Sequence, residues 1–395
     1  MSPRFSLVYP TRHRPQFLAE VLSRLEQQAG DDFEVIVSDN FTDATQSCEE
    51  ICASSGIAAL KYVKPPSPLG MVANWNYAAS FARGEYVALF TDKMFLLPDA
   101  LTRVRRVLDE PSAANEIPEI ISWVSDSYQP SRYPDYFGGG VYTAVQSDSV
   151  TEKSAHPYAP SDALCAKGRG TRSRYEQTPS QYCRGKIVFG AYHRDLISRI
   201  IARSGSLFHD ISPDYTSMIL GLSLATSAVE LKASAVVSVT TDVSNGLLGS
   251  IHDQHALNYL KSLSDNPELF FCEMRVPGLY AAQHNIVSHD YLSLRKRFDL
   301  RFEFSDVNWL VHCIEDLSKS DRQWSSAEVE SAQMQLLYNL MGTLPAASQA
   351  AVVQRLENRM AARSSGQAYS MPPGQSLTWH SPSLAEAIAR RSGWS

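Results

Sequence analysis

The chain has 395 residues, 44% of them hydrophobic and 20% charged, with a formal net charge of −6. That length allows one large domain or two modest ones around a sizeable core. The acidic balance gives no general attraction to phosphate polymers or anionic lipid, and no run approaches the about 18 apolar residues of a membrane-crossing helix.

The opening MSPRFSLVYPTRHRP lacks the apolar segment of a signal peptide. Six cysteines, at positions 48, 52, 165, 183, 272 and 313, are scattered. Only Cys48 and Cys52 lie close together, without the tighter pairs and nearby histidines of a zinc site. Reduced thiols in a cytoplasmic protein are expected, and no metal site is read from the cysteines.

The first hundred residues alternate between strand and helix. Phe5–Tyr9 is an apolar strand ended by Pro10. Pro15 opens a helix, where its missing N–H costs nothing, and Phe17, Leu18, Val21, Leu22 and Leu25 form one apolar stripe before Gly30. Phe33–Val37 is the second strand. Asp43 is a suitable N-cap for a helix over Ala44–Ser54, with Gly56 just beyond its end. Ala59–Val63 is the third strand, Val72–Ala82 a helix, Glu85–Phe90 the fourth strand and Pro98–Leu108 the next helix. Strands separated by helices of about ten residues imply right-handed βαβ units on a parallel sheet. Ligands bind beyond the carboxyl ends of such strands. The segments that matter are therefore Pro10–Arg14, Ser38–Asp43 and Thr91–Met94.

Residues 125–185 are rich in Tyr, Ser, Pro, Gly and Arg and show no clean period. They read equally as a surface insertion or as a mobile acceptor loop whose rings and guanidinium groups stack on sugars or bases. Arg169, Arg172 and Arg174 could line a local basic groove. A strand and helix return at GKIVFGAYHRDLISRIIARSG, two acids precede a helix in FHDISPDYTS, and the text after about Asp253 is mostly helical.

FSLVYPTRHRP, FEVIVSDNFTD, LGMVANWNYAASFARGEYVALFTDK and SPDYTS stand in an order and spacing that resembles family 2 glycosyltransferases of the GT-A fold. The likeness is strong over about the first 110 residues and loose to about 250. It implies an α/β, Rossmann-like, mainly parallel sheet with helices on both faces over residues 1–250, followed by a mainly helical region over 251–395. It implies transfer of a sugar from a nucleoside diphosphate sugar to an acceptor hydroxyl, with inversion. Such chemistry needs a nucleoside pocket, a cationic element for the departing diphosphate and a carboxylate for the acceptor's proton.

Carried over from the family, Pro10, Thr11, Arg14 and Asp39 would bind the nucleoside, Asp39 accepting from the base's ring N–H and so favouring UDP or a related diphosphate. The alternative for Asp39 is a turn cap with Asn40. Asn74 would lie near the donor, or make a polar contact on the helix side. Thr91 and Asp92 fit the strand-ending acid motif, and the family places a ribose contact at the Asp92 position. Lys93 stands where a metal-binding acid is usual. A protonated lysine cannot ligate a metal, so the leading expectation is a metal-free site in which Lys93 meets the diphosphate, helped by Arg12, Arg14, Lys186 or Arg194. Mg²⁺ or Mn²⁺ enters only if Asp92 is a ligand. Asp214 and Asp210 compete for the catalytic base. Asp214 heads a helix with Ser217 beside it; its alternative is an N-cap. His209 and His193 are orienting groups or structural ones, and Val243–Gly246 would form part of the acceptor wall.

The rival reading is a catalytically inactive nucleotide-sugar-binding protein, for which the missing metal acid is the best argument. A nucleotidyltransferase would want a glycine-rich first loop, and PTRHRP has no glycine. Glycan, small molecule and modified nucleobase all stay open as acceptor, and the C-terminal helices could join copies of the chain.

Overall fold

The computed structural model describes residues 2–43, 47–110, 117–145, 154–172, 176–242, 245–263, 267–364 and 376–393. Alternation begins with β1 (Phe5–Thr11), α1 (Pro15–Leu25), β2 (Phe33–Asp39), α2 (Cys48–Ala53), β3 (Leu60–Val63), α3 (Met71–Ala79), β4 (Tyr86–Leu89), β5 (Met94–Leu96) and α4 (Ala100–Asp109). It continues with β6 (Ile120–Ser122), β7 (Ser125–Pro130), β8 (Gly140–Val145), β9 (Ala155–Tyr158), α5 (Pro160–Arg169), α6 (Pro179–Cys183), β10 (Gly190–His193), α7 (Arg194–Ser204), α8 (Pro213–Leu224), β11 (Ala228–Leu231) and β12 (Val236–Val239). The rest is helical through α9 (Asn245–Ile251), α10 (Asp253–Lys261), α11 (Pro267–Glu273), α12 (Gln283–Arg297), α13 (Asp306–Leu317), α14 (Ala327–Thr343) and α15 (Ala346–Ser364), until β13 (Ser376–Ser381) and α16 (Leu384–Ser392).

The larger sheet has the order β3-β2-β1-β4-β10-β6-β11-β9. The block β3-β2-β1-β4 is parallel, and β10 and β9 alone run against the rest. This is the α/β, mainly parallel class that the resemblance implied. A second sheet has the order β13-β8-β7-β12-β5. The chain passes from one sheet to the other between β4 and β5, over Phe90–Lys93. That short crossing places Thr91, Asp92 and Lys93 at the carboxyl edge of the parallel block.

Several boundaries differ from the expectation. β1 runs through Pro10 to Thr11. Val8 O accepts from Phe90 N on the β4 side and Thr11 O from Asn40 N on the β2 side. The N–H that Pro10 lacks would thus face β4, which has already turned away, so the ladder loses nothing. α2 starts at Cys48 and is capped by Ser47, whose Oγ accepts from Glu49 N and Glu50 N at 3.2 and 3.5 Å. Asp43 instead donates its N–H to His13 Nδ1 at 2.9 Å, and positions 44–46 lie outside the described residues. Gly56 gives its N–H to Glu26 Oε1; the helix ends at Ala53, with Ser54 as its C-cap. β5 is an additional strand between the expected fourth strand and helix.

The segment 125–185, aperiodic as text, supplies β7, β8, β9, α5 and α6. β7 alternates buried and exposed positions, and Tyr128 and Tyr142 are fully buried. The end of the chain completes this sheet. β13 pairs with β8 in antiparallel register, Ser376 opposite Val145 through Ser381 opposite Gly140. Trp379 stacks on Tyr142 at 4.6 Å, and Arg391 of α16 reaches the fully buried Asp126 at 3.0 Å.

The helical region is tied to α5 by its orphan carbonyls. On α13, Asn308 Nδ2 donates to Arg169 O at 2.7 Å, Trp309 Nε1 to Gly168 O at 3.1 Å and His312 Nε2 to Gly170 O at 2.7 Å. Gly170 takes φ +55, and a Cβ there would meet the Trp309 ring at 3.0 Å, so this close stop needs glycine. No helix among the described residues is long and apolar enough to cross a membrane.

Candidate functional site

Three loops meet at the carboxyl edge of β1, β2 and β4. At the end of β1, Thr11 Oγ1 donates to Asp92 Oδ2 at 3.1 Å. Arg14, the residue before Pro15 opens α1, donates from Nη1 to Asp92 Oδ1 at 2.8 Å. Asp92 is buried and its partner guanidinium partly open to solvent. Lys93 follows directly. Burial pulls its ammonium down to about 8, Arg14 pushes the same way and Asp92 opposes them. The loop is pinned by Met94 N to Thr91 O at 3.0 Å and Val239 N to Lys93 O at 2.9 Å. Arg14, Asp92 and Lys93 together leave one positive charge at the edge.

Beneath this loop Tyr9 stacks on Phe90, and Phe90 on Trp123. The Tyr9 hydroxyl, Thr91 Oγ1 and Trp123 Nε1 are buried without a hydrogen-bond partner among the described residues. An unmade bond of this kind costs about 1–3 kcal/mol.

The second loop carries Asp39. It is buried, its Oδ1 accepts from Thr42 N at 2.9 Å and its Oδ2 from the Tyr62 hydroxyl at 3.0 Å. It therefore caps the turn. Asn40 clamps the next loop through Leu69, donating to Leu69 O at 2.7 Å and accepting from Leu69 N at 2.9 Å. His13 and Phe41 hold φ near +58, a costly state for such residues. The two loops are latched by His13 N to Thr42 Oγ1 at 3.0 Å. Asn74, on α3, accepts from Ser38 Oγ at 2.9 Å, and Trp75 packs edge-on against Phe208.

At this edge both Asp92 oxygens already accept hydrogen bonds, and the side chain beside it is a lysine, which cannot ligate a divalent ion while protonated.

Lys186 lies on the same edge, just before β10, which pairs with β4. It is 1% exposed, its Nζ sits 3.2 Å from Asp214 Oδ2, and it lies 3.9 and 3.8 Å from the ring centres of Tyr182 and Tyr215. Burial works against this charge; Tyr182, Tyr215 and Asp214 outweigh it and raise the ammonium above its ordinary value. Asp214 stands in the first turn of α8, after Pro213, with its side chain 27% exposed.

The structure separates the two acids of that segment. Asp210, at φ +48, faces α12, accepting from Ser293 Oγ at 2.9 Å and Arg297 Nη1 at 2.5 Å. Asp214 faces Lys186. Asp290, on α12, is fully buried and accepts from Ile211 N and Ser212 N, both at 3.1 Å, while the Tyr259 hydroxyl holds Ile211 O at 2.7 Å. The helical region thus sets the strand of chain that delivers Asp214. Asp290 reads as an ordinary helical acid in SHDYLSL, and nothing local points to a partner 79 residues away.

Other candidates fall elsewhere. Arg194 donates to Gly84 O at 2.8 Å, at the opposite end of β4, and His193 packs on Tyr86 there. His209 bonds Ser204 Oγ at 3.0 Å inside its own loop. Arg12 is exposed and contacts His13. Arg169 pairs with Glu303. Arg174, Val243 and Ser244 lie outside the described residues, and Asn245 opens α9.

Residues 6–165 match the family model described as glycosyl transferase family 2. That span holds Pro10, Thr11, Arg14, Asp39, Asn74, Thr91, Asp92 and Lys93, and excludes Asp210 and Asp214. No curated protein matches the chain. Among solved structures, S. aureus TarS 1–349 in complex with UDP-GlcNAc is similar at 13% identity, with 93% of each chain covered and a TM-score of 0.44. The mannosyltransferase PcManGT of Pyrobaculum calidifontis, in complex with GDP-Man and Mn²⁺, is similar at 14% identity, with 91% of this chain and 88% of that chain covered and a TM-score of 0.40. Over residues 6–165, then, the chain matches glycosyl transferase family 2, and the three converging loops lie inside that span.

Proposed function

We propose that the protein transfers a sugar from a nucleoside diphosphate sugar to an acceptor hydroxyl, with inversion at the anomeric carbon. The observation that carries this is the meeting of Thr11, Arg14, Asp92 and Lys93 at the carboxyl edge of the parallel strands, within the span that matches the family. The nucleoside sits against the Asp39 loop, UDP being the first candidate, and Asp39 exchanges its Tyr62 bond for a base N–H. The ribose lies by Asp92.

As the acceptor oxygen bonds to the anomeric carbon, the bond from that carbon to the diphosphate breaks. Its electron pair leaves with the diphosphate. Lys93, with Arg14 beside it, offsets that growing charge without a metal ion. The acceptor's proton passes to Asp214, whose carboxylate is aimed by Lys186 and by the Asp290 clamp. Asp210 ties the helical region in place and takes no part in proton transfer.

A thermal-shift panel of UDP, GDP, TDP and CMP, with and without Mn²⁺, tests base and metal use together, since a bound nucleotide raises the melting point by mass action. No shift with any nucleotide would refute the reading. A second reading, a binding protein that releases no product, is favoured by the lysine in place of an acid and by the grip of Lys186 on Asp214. Slow hydrolysis of the donor separates the two: a binding protein shows none.

A further inference from the structure

Between α5, α6 and α8 on one side and α12 and α13 on the other lies a cleft that opens to solvent. Its wall carries Lys167, Arg172 and Lys186 together with the rings of Tyr182, Tyr215 and Trp309. No carboxylate is among the described residues that line it. Lys167 Nζ donates to Gln181 O at 2.8 Å and Tyr182 O at 3.3 Å, and Arg172 Nη1 to Gln181 Oε1 at 3.1 Å. Lys186 is buried and Lys167 half-buried, and the two charges repel. Burial, then the charge of Lys186, brings Lys167 down to about 7. Like charges gathered in a partly desolvated cleft are costly unless an anion joins them. Asp214, on the rim at Lys186, supplies part of that charge, while the carboxylates of Asp316 and Glu315 are taken up by His284 and His312 on the opposite wall.

The position of the cleft matters as much as its charge. Lys186 belongs to both places: it lines the cleft and it holds Asp214. A molecule seated on the rings therefore has a hydroxyl within reach of the carboxylate proposed to take its proton. Flat aromatic faces suit the C–H faces of a sugar ring, and the cations suit an acid group on it.

We propose that this cleft is the acceptor site and that it selects a sugar bearing an anionic group, a phosphate or a carboxylate. The assignment rests on the glycosyl transfer reading above. Phosphate and carboxylate share the needed charge, and the assay distinguishes them.

The test is calorimetric titration of the full chain, held with excess UDP at constant ionic strength, with glucose 6-phosphate, glucuronate, glucose and inorganic phosphate. At least one anionic sugar is expected to bind about tenfold or more tightly than either glucose or inorganic phosphate. Arg172→Gln, at an exposed position that leaves the fold intact, is expected to weaken that sugar about tenfold, and Lys167→Gln to act in the same direction. Equal binding of glucose overturns the proposal, as does inorganic phosphate binding as tightly as glucose 6-phosphate. Affinity untouched by Arg172→Gln places the sugar elsewhere and also overturns it. If UDP binds and no anionic sugar does, the cleft assignment falls alone; if UDP fails to bind, the donor reading falls.

Discussion

Replacing Lys93 by methionine tests the centre of the scheme. Arg14, Lys93 and Asp92 sum to one positive charge, and Lys93→Met brings the group to zero, because Arg14 is already committed to Asp92 at 2.8 Å. One unit charge about 5 Å from a phosphate, at an effective dielectric of about 20, contributes about 3 kcal/mol. UDP affinity, measured by calorimetry in EDTA at pH 7, is therefore expected to fall by about a hundredfold. The loss is not one of folding. A lysine whose folded-state value lies near 8, below its ordinary 10.5, carries a burial cost that is fully present below about pH 8 and fades as pH rises towards 10.5. Removing that charge leaves the melting temperature at pH 7 equal or higher. The same shift sets a pH signature: wild-type affinity for UDP declines as pH rises through about 8, and the methionine variant is flat over that window. Affinity of the variant within about threefold of wild type would sink the argument. So would wild-type binding that vanishes in EDTA and returns with Mn²⁺.

Asp214→Asn is expected to keep UDP affinity while turnover drops by about 10²–10⁴; a variant with unchanged turnover moves the proton elsewhere. Asp290→Ala leaves one buried and one half-buried N–H group without acceptors, at about 1–3 kcal/mol each, so chemical denaturation should show a loss of about 3 kcal/mol, with turnover reduced more than UDP binding. Arg391→Ala removes one of the partners of buried Asp126, which keeps Tyr142, Val145 and Ser234; urea unfolding should register about 2 kcal/mol, with UDP affinity unchanged. A loss below about 0.5 kcal/mol would mean that α16 does not hold this sheet.

The parallel block was legible because its signals are local. Phe17, Leu18, Val21, Leu22 and Leu25 repeat at helical spacing and are all buried, and the apolar runs at 5–9, 33–37 and 85–90 fall on three of its strands. The strand-end rule then picked out the three loops that do converge, because a parallel sheet brings all its carboxyl ends to one edge. Lys93 beside Asp92 was visible in the text, as was the absence of a second acid.

Residues 125–185 were not legible, for a physical reason. β7 and β8 use Tyr, Ser, Thr and Gly, whose burial is decided by a partner sheet, and part of that partner is β13, more than 230 residues further on. Strand preference of this kind depends on neighbours rather than on the residue itself. The choice between Asp210 and Asp214 was equally closed to inspection. Both precede one helix; only the packing of α12 turns Asp210 to Arg297 and leaves Asp214 to Lys186. The sequence by itself determined the βαβ alternation and the chemistry at the ends of β1, β2 and β4, since period and turn residues act over a few positions. The tertiary structure alone decided which acid faces Lys186 and where the cationic cleft opens, since both depend on helices that meet across 79 residues or more of chain.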